Sequence, residues 1–305
     1  MNSHSTKRSA FAAIGSGAVG GLQWRLFLLW ILISLLPTLV VALPLWSTLD
    51  ELLGHSVHAE AWAKHFDGLM FGDVSIALGR DNPWLGMAFL AGVLMTLAIS
   101  PFLTGMAVAG GRAGRALGFG GLLQGGAAEY GRMLRLLLLA LIPYVLFGLV
   151  AKAASSFADD KTDVALLPAT ADMYSHGALA VTLLFFVIAQ AVVESARAQF
   201  IADIGLRSAF RALGRGFMQF VRRPIATVMV YLAITLVGTA LVVLIAAWRG
   251  NSTAAGSGLF VAFLIVQLGV TVIAWMRTAR LLALAGIAAV NPAHRRRRTD
   301  FAPAL

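Results

Sequence analysis

Three histidines, His55, His58 and His65, lie in an acidic stretch at 48–82. Neutral imidazoles three residues apart can share a metal ion, and Glu51 could complete the ligand set. The same rings could instead sense acidity, because histidine titrates near neutral pH. On a helix, Glu51, His55, His58, Trp62 and His65 share a side with Phe66 and Leu69. That pattern fits an interfacial helix with its histidines at headgroup depth, so no metal is expected. A second constellation is Gly256-Ser257-Gly258 with His176, which a serine hydrolase would use as nucleophile and base. A Gly-Ser-Gly at the end of a helix reads as a turn. The chain has no HExxH, Walker loop or dinucleotide fingerprint. It has no cysteine, which excludes disulfides, thiolate metal sites and Cys nucleophiles. We expect no catalytic residue and no cofactor.

The remaining polar candidates sit inside apolar runs, where burying them is costly. Ser100 and Thr104 are one turn apart, as are Gln190 and Glu194, and Gln267 and Thr271. Thr235 belongs to the series Thr227, Tyr231, Thr235, Thr239. Each set occupies one face of its helix. Together they form either a polar pathway between helices two, four, five and six or a hydrogen-bonded seam holding the bundle together. Glu194 is placed to pair with Arg197. Pro101, beside Ser100 and ahead of Gly105, is the candidate helix break, against a static kink.

The elements that must position these groups follow from hydropathy. Hydrophobic residues make up 59 % of the 305 residues and charged residues 12 %, against about 25 % charged in soluble domains. Six stretches approach the roughly 20 apolar residues a spanning helix needs. They are 26–47, 84–108, 133–152, 174–195, 225–248 and 257–279. The first is too long for a signal-peptide core and reads as a retained helix. The expected fold is therefore all-α: a polytopic membrane bundle at 26–285, preceded by an N-terminal tail at 1–25 and followed by a basic tail at 286–305.

Charge sets the orientation. Nineteen of the 24 Lys and Arg residues fall on one side, in the N-terminus, the 109–134 and 196–224 linkers and the C-terminus with Arg295 to Arg298. The opposite side keeps Lys64, Arg80, Lys152, Lys161 and Arg249 and most of the acids, among them Asp50, Asp73, Asp159 and Asp172. Positive residues collect in cytoplasmic loops, so both termini are expected in the cytoplasm of a bacterial cell with this chain in its inner membrane. The same bias accounts for the net charge of +10 without nucleic acid as a partner.

The linkers carry their own pattern. Over 198–221, Phe200, Ile201, Ile204, Phe210, Leu213, Phe217, Phe220 and Val221 recur at helical spacing, while Asp203, Arg207, Arg211 and Arg215 follow another face. Such an amphipathic helix can rest in the interface, with Arg207, Arg211, Arg215, Arg222 and Arg223 at anionic headgroups. The alternative is a helical hairpin packed on the bundle. The 112–134 linker is a looser copy. Arg-Ala-Leu-Gly occurs at 115–118 and again at 211–214, as a parallel duplication of helix, interfacial helix, helix would produce.

Several runs carry a resemblance. Ser100-Pro101-Phe102-Leu103-Thr104-Gly105 is followed by Gly121 to Gly126 (GLLQGG) and Glu129 to Leu136 (EYGRMLRL); later come Arg207 to Leu213 (RSAFRAL) and Arg222-Arg223-Pro224. With Leu49 to Ser56 (LDELLGHS), they resemble a family of uncharacterised bacterial six-helix membrane proteins over about residues 24–285. The resemblance implies the six-helix fold and brings no catalytic residues. The resulting expectation is a non-catalytic scaffold, accessory subunit or envelope factor, with anionic headgroups as lipid partners and a membrane-protein partner of unknown identity. The alternative is a small-solute transporter or permease subunit.

Overall fold

Long apolar runs fold as helices in lipid because every backbone N–H and C=O must be paired within the segment. A computed structural model describes residues 3–58, 61, 68–81, 83–252 and 257–289; every described element is an α-helix. Ten helices are described: α1 Ser3–Gly20, α2 Trp24–Leu53, α3 Gly68–Asp81, α4 Pro83–Ala113, α5 Phe119–Leu139, α6 Leu141–Asp163, α7 Pro168–Ala202, α8 Ala209–Arg222, α9 Pro224–Gly250 and α10 Gly258–Ala289. Six are long and apolar enough to cross a membrane when α5 and α6 are taken as one bent span. The protein is an all-α, multi-pass membrane protein.

The bend between α5 and α6 has a local cause. Pro143 has no N–H to offer the carbonyl four residues back, and the chain turns at Ala140. Pro101 behaves differently. The helix does not break there: α4 runs through a buried Pro101 without interruption. One missing donor is tolerated in a spanning helix whose neighbours hold its course.

The spanning helices pair as hairpins, α2 with α4, α6 with α7 and α9 with α10. The core lies at one end. Its clusters are built from Leu26 and Trp30 of α2, Leu103 to Val108 of α4, Ala196 and Phe200 of α7, Val230 and Ile234 of α9, and Ala279 to Ile287 of α10. This is the end that carries the basic residues. Towards the acidic end the helices are exposed: Val93, Leu94 and Leu97 of α4, Leu183 to Phe186 of α7, and Phe260, Phe263 and Leu264 of α10 all face outward. A surface of that kind is what lipid requires. Helix α7, at 35 residues, is about 52 Å long, well beyond a hydrocarbon core of about 30 Å. Its N-terminal turns therefore extend past the bilayer with the end of α6, where Phe157 meets Tyr174 edge-on with ring centroids 6.3 Å apart.

The basic end is closed by α1, α5 and α8. The segment expected as a tail is helical at Ser3–Gly20 and docks on the last turns of α10 through small residues. A Cβ on Gly17 would lie 2.7 Å from Ala283 Cβ and 2.8 Å from the Ala279 carbonyl oxygen, so only glycine permits this approach. Trp275 Nε1 donates to the Ala18 carbonyl at 2.9 Å and fixes the register.

Helix α8 is shorter than the amphipathic pattern implied. Residues 198–202 complete α7, with Phe200 fully buried in the core, and 203–208 form a turn that carries Arg207. Ser208 caps α8 by accepting from the Arg211 N–H at 3.3 Å. Three faces run along it. Ala209, Ala212, Gly216 and Gln219 are buried against the bundle; Phe210, Phe217 and Val221 are exposed and apolar; Arg211 and Arg222 are exposed and charged. Helix α5 repeats the buried face with a shift of 90 positions: Leu122, Gly126 and Glu129 correspond to Ala212, Gly216 and Gln219. The two Arg-Ala-Leu-Gly tetrapeptides do not follow this register. The first lies in the turn before α5 and the second inside α8, so that match does not mark the repeat.

Candidate functional site

Polar side chains converge where α6, α7, α9 and α10 meet near the basic end. Glu194 is buried and accepts from Arg197 Nη1 at 3.0 Å, one turn along α7. Arg280, reaching over from α10, places Nη2 3.6 Å from the same carboxylate oxygen and donates from Nη1 to Thr235 Oγ1 at 3.1 Å. Its guanidinium carbon lies 5.2 Å from the centre of the Tyr231 ring, within cation–π range. One turn before Glu194, Gln190 Oε1 accepts from Tyr144 OH at 3.2 Å. Arg277 lies within electrostatic reach of Glu194, Arg197, Arg280 and Tyr144. Two guanidinium groups thus hold one carboxylate, and a third, Arg277, lies one turn before Arg280 on α10.

Three of the seven expected seam residues therefore come together: Gln190, Glu194 and Thr235. Thr104 and Thr271 turn back on their own helices, donating at 2.9 Å to the carbonyls of Ser100 and Gln267. Their hydroxyl protons are thus spent within their own helices, as that of Thr235 is on the Tyr231 carbonyl at 2.6 Å; only Thr235 also accepts from another helix. Ser100 and Thr104 do line a crevice with Pro101, Met133, Leu137 and Arg197, but it is too narrow for a water molecule. Among the described residues no cross-helix hydrogen bond reaches Gln267.

A second charged knot ties α4, α5 and α7. Glu129 is buried and receives Arg112 at 2.5 Å and Arg132 at 3.0 Å. Arg112 Nε also donates to the Phe200 carbonyl at 2.7 Å. A third connection is neutral. Gln199 Nε2 donates to Gln219 Oε1 at 2.6 Å, and Gln219 Nε2 reaches the Leu284 carbonyl at 3.4 Å, joining α7, α8 and α10. Sequence reasoning missed Arg112, Glu129, Gln199, Gln219 and Arg280 as partners. A usable signal was present. Glu129, Glu194 and Asp203 are the acids on the basic side of the described chain, and each is held by arginine.

Compared with protein-family models, curated proteins and solved structures, the chain matches none. The reading of the site therefore rests on its geometry.

The basic stripe divides. Arg215 pairs with Asp203 at 2.7 Å, so it fastens the turn to α8. Arg207, Arg211 and Arg222 are exposed, and Arg223 half-buried. On the acidic side, His55 and His58 lie in turns after α2, so Glu51 and these two rings do not continue one helical face. His65 lies outside the described residues, as do Glu60, Trp62, Lys64, Phe66, Asp67, Gly256 and Arg295 to Arg298. His176 Nδ1 lies 2.6 Å from the Asp172 carbonyl of its own helix. Among the described residues no group of three metal-ligating side chains forms.

A hollow of about 420 Å³ opens at the basic end between α1, α4 and α10. Ser16, Gly20, Gln23, Gly110 and Arg115 border it. None of these residues belongs to the Glu194 cluster.

Proposed function

We propose that the protein is a non-catalytic component of a bacterial cytoplasmic membrane, acting as a scaffold, accessory subunit or envelope factor. The observation that carries this reading is the commitment of the polar side chains to one another. Gln190 is taken by Tyr144, Glu194 by Arg197 and Arg280, and Thr235 by Arg280. Such bonds hold membrane helices in one arrangement. Both termini are assigned to the cytoplasm by the basic skew. That orientation puts α5 and α8 at the inner leaflet, with Phe210, Phe217 and Val221 in the acyl boundary and Arg207, Arg211 and Arg222 among anionic headgroups. The Ser100–Gly105 and Arg222–Pro224 runs support membership of the bacterial six-helix family they resemble, which contributes no catalytic residue.

The test is quantitative co-purification of the tagged chain from native membranes in mild detergent. One stoichiometric membrane-protein partner is the expected result, and its activity would name the process. Recovery of the chain alone, together with solute flux in liposomes lost on Gln190→Ala, would overturn the reading. That outcome would favour the second reading, a small-solute transporter, which the repeated buried register of α5 and α8 supports.

A further inference from the structure

The Glu194 cluster has a surplus of positive charge. Arg197 and Arg280 share the Glu194 carboxylate, and Arg277, one turn before Arg280 on α10, adds a third positive charge, which leaves two charges uncompensated among these groups. The surplus is localised. Arg197 and Arg280 are pinned by their bonds to Glu194 and Thr235. Arg277 has no hydrogen bond or ion pair to the described residues. Its side chain is exposed at the bundle surface. Arg280 Nε is a second donor in want of a partner: it is buried, and no acceptor in the protein meets it. An unpaired guanidinium N–H at that depth is costly.

Depth identifies what could meet Arg277. Arg277 is 19 residues from the first residue of α10 at the acidic end, about 29 Å along the axis. That is the thickness of a hydrocarbon core, so the guanidinium reaches the level of the headgroups of the leaflet at the basic end. Above it, towards the acidic end, α7 and α10 expose Leu183, Phe186, Phe263 and Leu264. A ligand with a phosphate at the level of Arg277 and two apolar chains extending along these helices would satisfy both the charge and the exposed surface.

We propose that Arg277, with Arg197 and Arg280 behind it, binds the phosphate of one anionic phospholipid in the leaflet at the basic end. This is a discrete site, separate from the general attraction of Arg207, Arg211 and Arg222 to the membrane surface. It does not depend on the scaffold reading, since a transporter could carry the same lipid. A guanidinium offers paired N–H donors to phosphate oxygens, which an ammonium cannot match.

The experiment uses the full chain in nanodiscs and in detergent. Phosphatidylglycerol is titrated against phosphatidylcholine, and the bound lipid is counted by native mass spectrometry. The wild type is expected to retain one phosphatidylglycerol per chain. Arg277→Gln should weaken that retention about fivefold or more, Arg277→Lys less so, and a change at the exposed Arg115, Arg115→Gln, should leave it unchanged. Arg277 has no protein partner to lose, so the variant should fold. Thermal protection of the wild type by added phosphatidylglycerol provides an independent readout. Equal retention by wild type and Arg277→Gln would overturn the proposal, as would equal retention of phosphatidylcholine. Equal protection by inorganic phosphate would refute the lipid as occupant and leave a soluble anion in its place.

Discussion

Two glycines of α8, two residues apart, should respond to the same substitution with opposite sign. A Cβ on Gly216 would lie 2.5 Å from the Ala196 nitrogen, 2.7 Å from its Cα and 2.9 Å from its Cβ. Ordinary contact begins near 3.4 Å, and two of these atoms are backbone inside α7. The clash cannot be relieved by a rotamer change, so α8 must move away by most of an ångström. Overpacking of this kind costs about 1–3 kcal/mol. The displacement also strains the 2.6 Å bond from Gln199 to Gln219, one turn further on. An unsatisfied buried amide adds about 1–3 kcal/mol. Gly216→Ala should therefore destabilise by about 2–6 kcal/mol. Gly214 has nothing within 4 Å of its virtual Cβ. There, alanine removes backbone entropy from the unfolded chain and should stabilise by about 0.4–1 kcal/mol. Thermal unfolding of the two variants in one detergent, followed by tryptophan fluorescence, should separate their midpoints by on the order of 5 °C. A Gly216→Ala variant as stable as Gly214→Ala would refute the close packing of α8 on α7, and with it the three-faced reading of that helix.

Two further predictions concern charge. Glu194→Gln leaves Arg197 and Arg280 facing a neutral amide and should cost about 3–5 kcal/mol. In a double-mutant cycle with Arg280→Gln, the pair should lose less than the sum of the singles; additive losses would show that the 3.6 Å contact carries no coupling. Because the chain has no cysteine, single cysteines report orientation directly. A cysteine at Ser56 should react with an impermeant maleimide in intact cells, and one at exposed Ala116 only after lysis; equal labelling of both would sink the assigned topology.

Much of the fold was legible because lipid imposes a simple rule. Apolar runs of about 20 residues fold as helices long and apolar enough to cross a membrane, six of them among the described residues. What escaped was structure built from alanine and glycine. Helix α1 docks through Ala10, Ala13 and Gly17 onto Ala279 and Ala283, and small residues carry little hydropathic contrast to mark a contact face. The candidate site was half legible. Spacing by four along one helix groups residues that share a face, but in lipid a threonine can bond its own helix, as Thr104 and Thr271 do. The bonds that unite the site join residues far apart in sequence: Tyr144 to Gln190, and Thr235 to Arg280. No local period encodes those distances.

The acids at the basic end show how the charge pattern serves two purposes. A cationic face is enough to orient the chain, and for that purpose any acid there is a liability. Yet Glu129, Glu194 and Asp203 lie on that face, and each is held by arginine at a junction between elements: α4 with α5, α7 with α10, and the 203–208 turn with α8. Arginines with such a partner are drawn into the structure; Arg112, Arg197 and Arg280 are all at most half-exposed. Those without one, Arg211, Arg222 and Arg277, remain at the surface. Burying an arginine requires a counter-charge, so the placement of three carboxylates decides which guanidinium groups build the bundle and which are left to face the membrane. Arg277 is among the latter, one turn before the Arg280 that Glu194 already holds, and a ligand phosphate is the partner we propose for it.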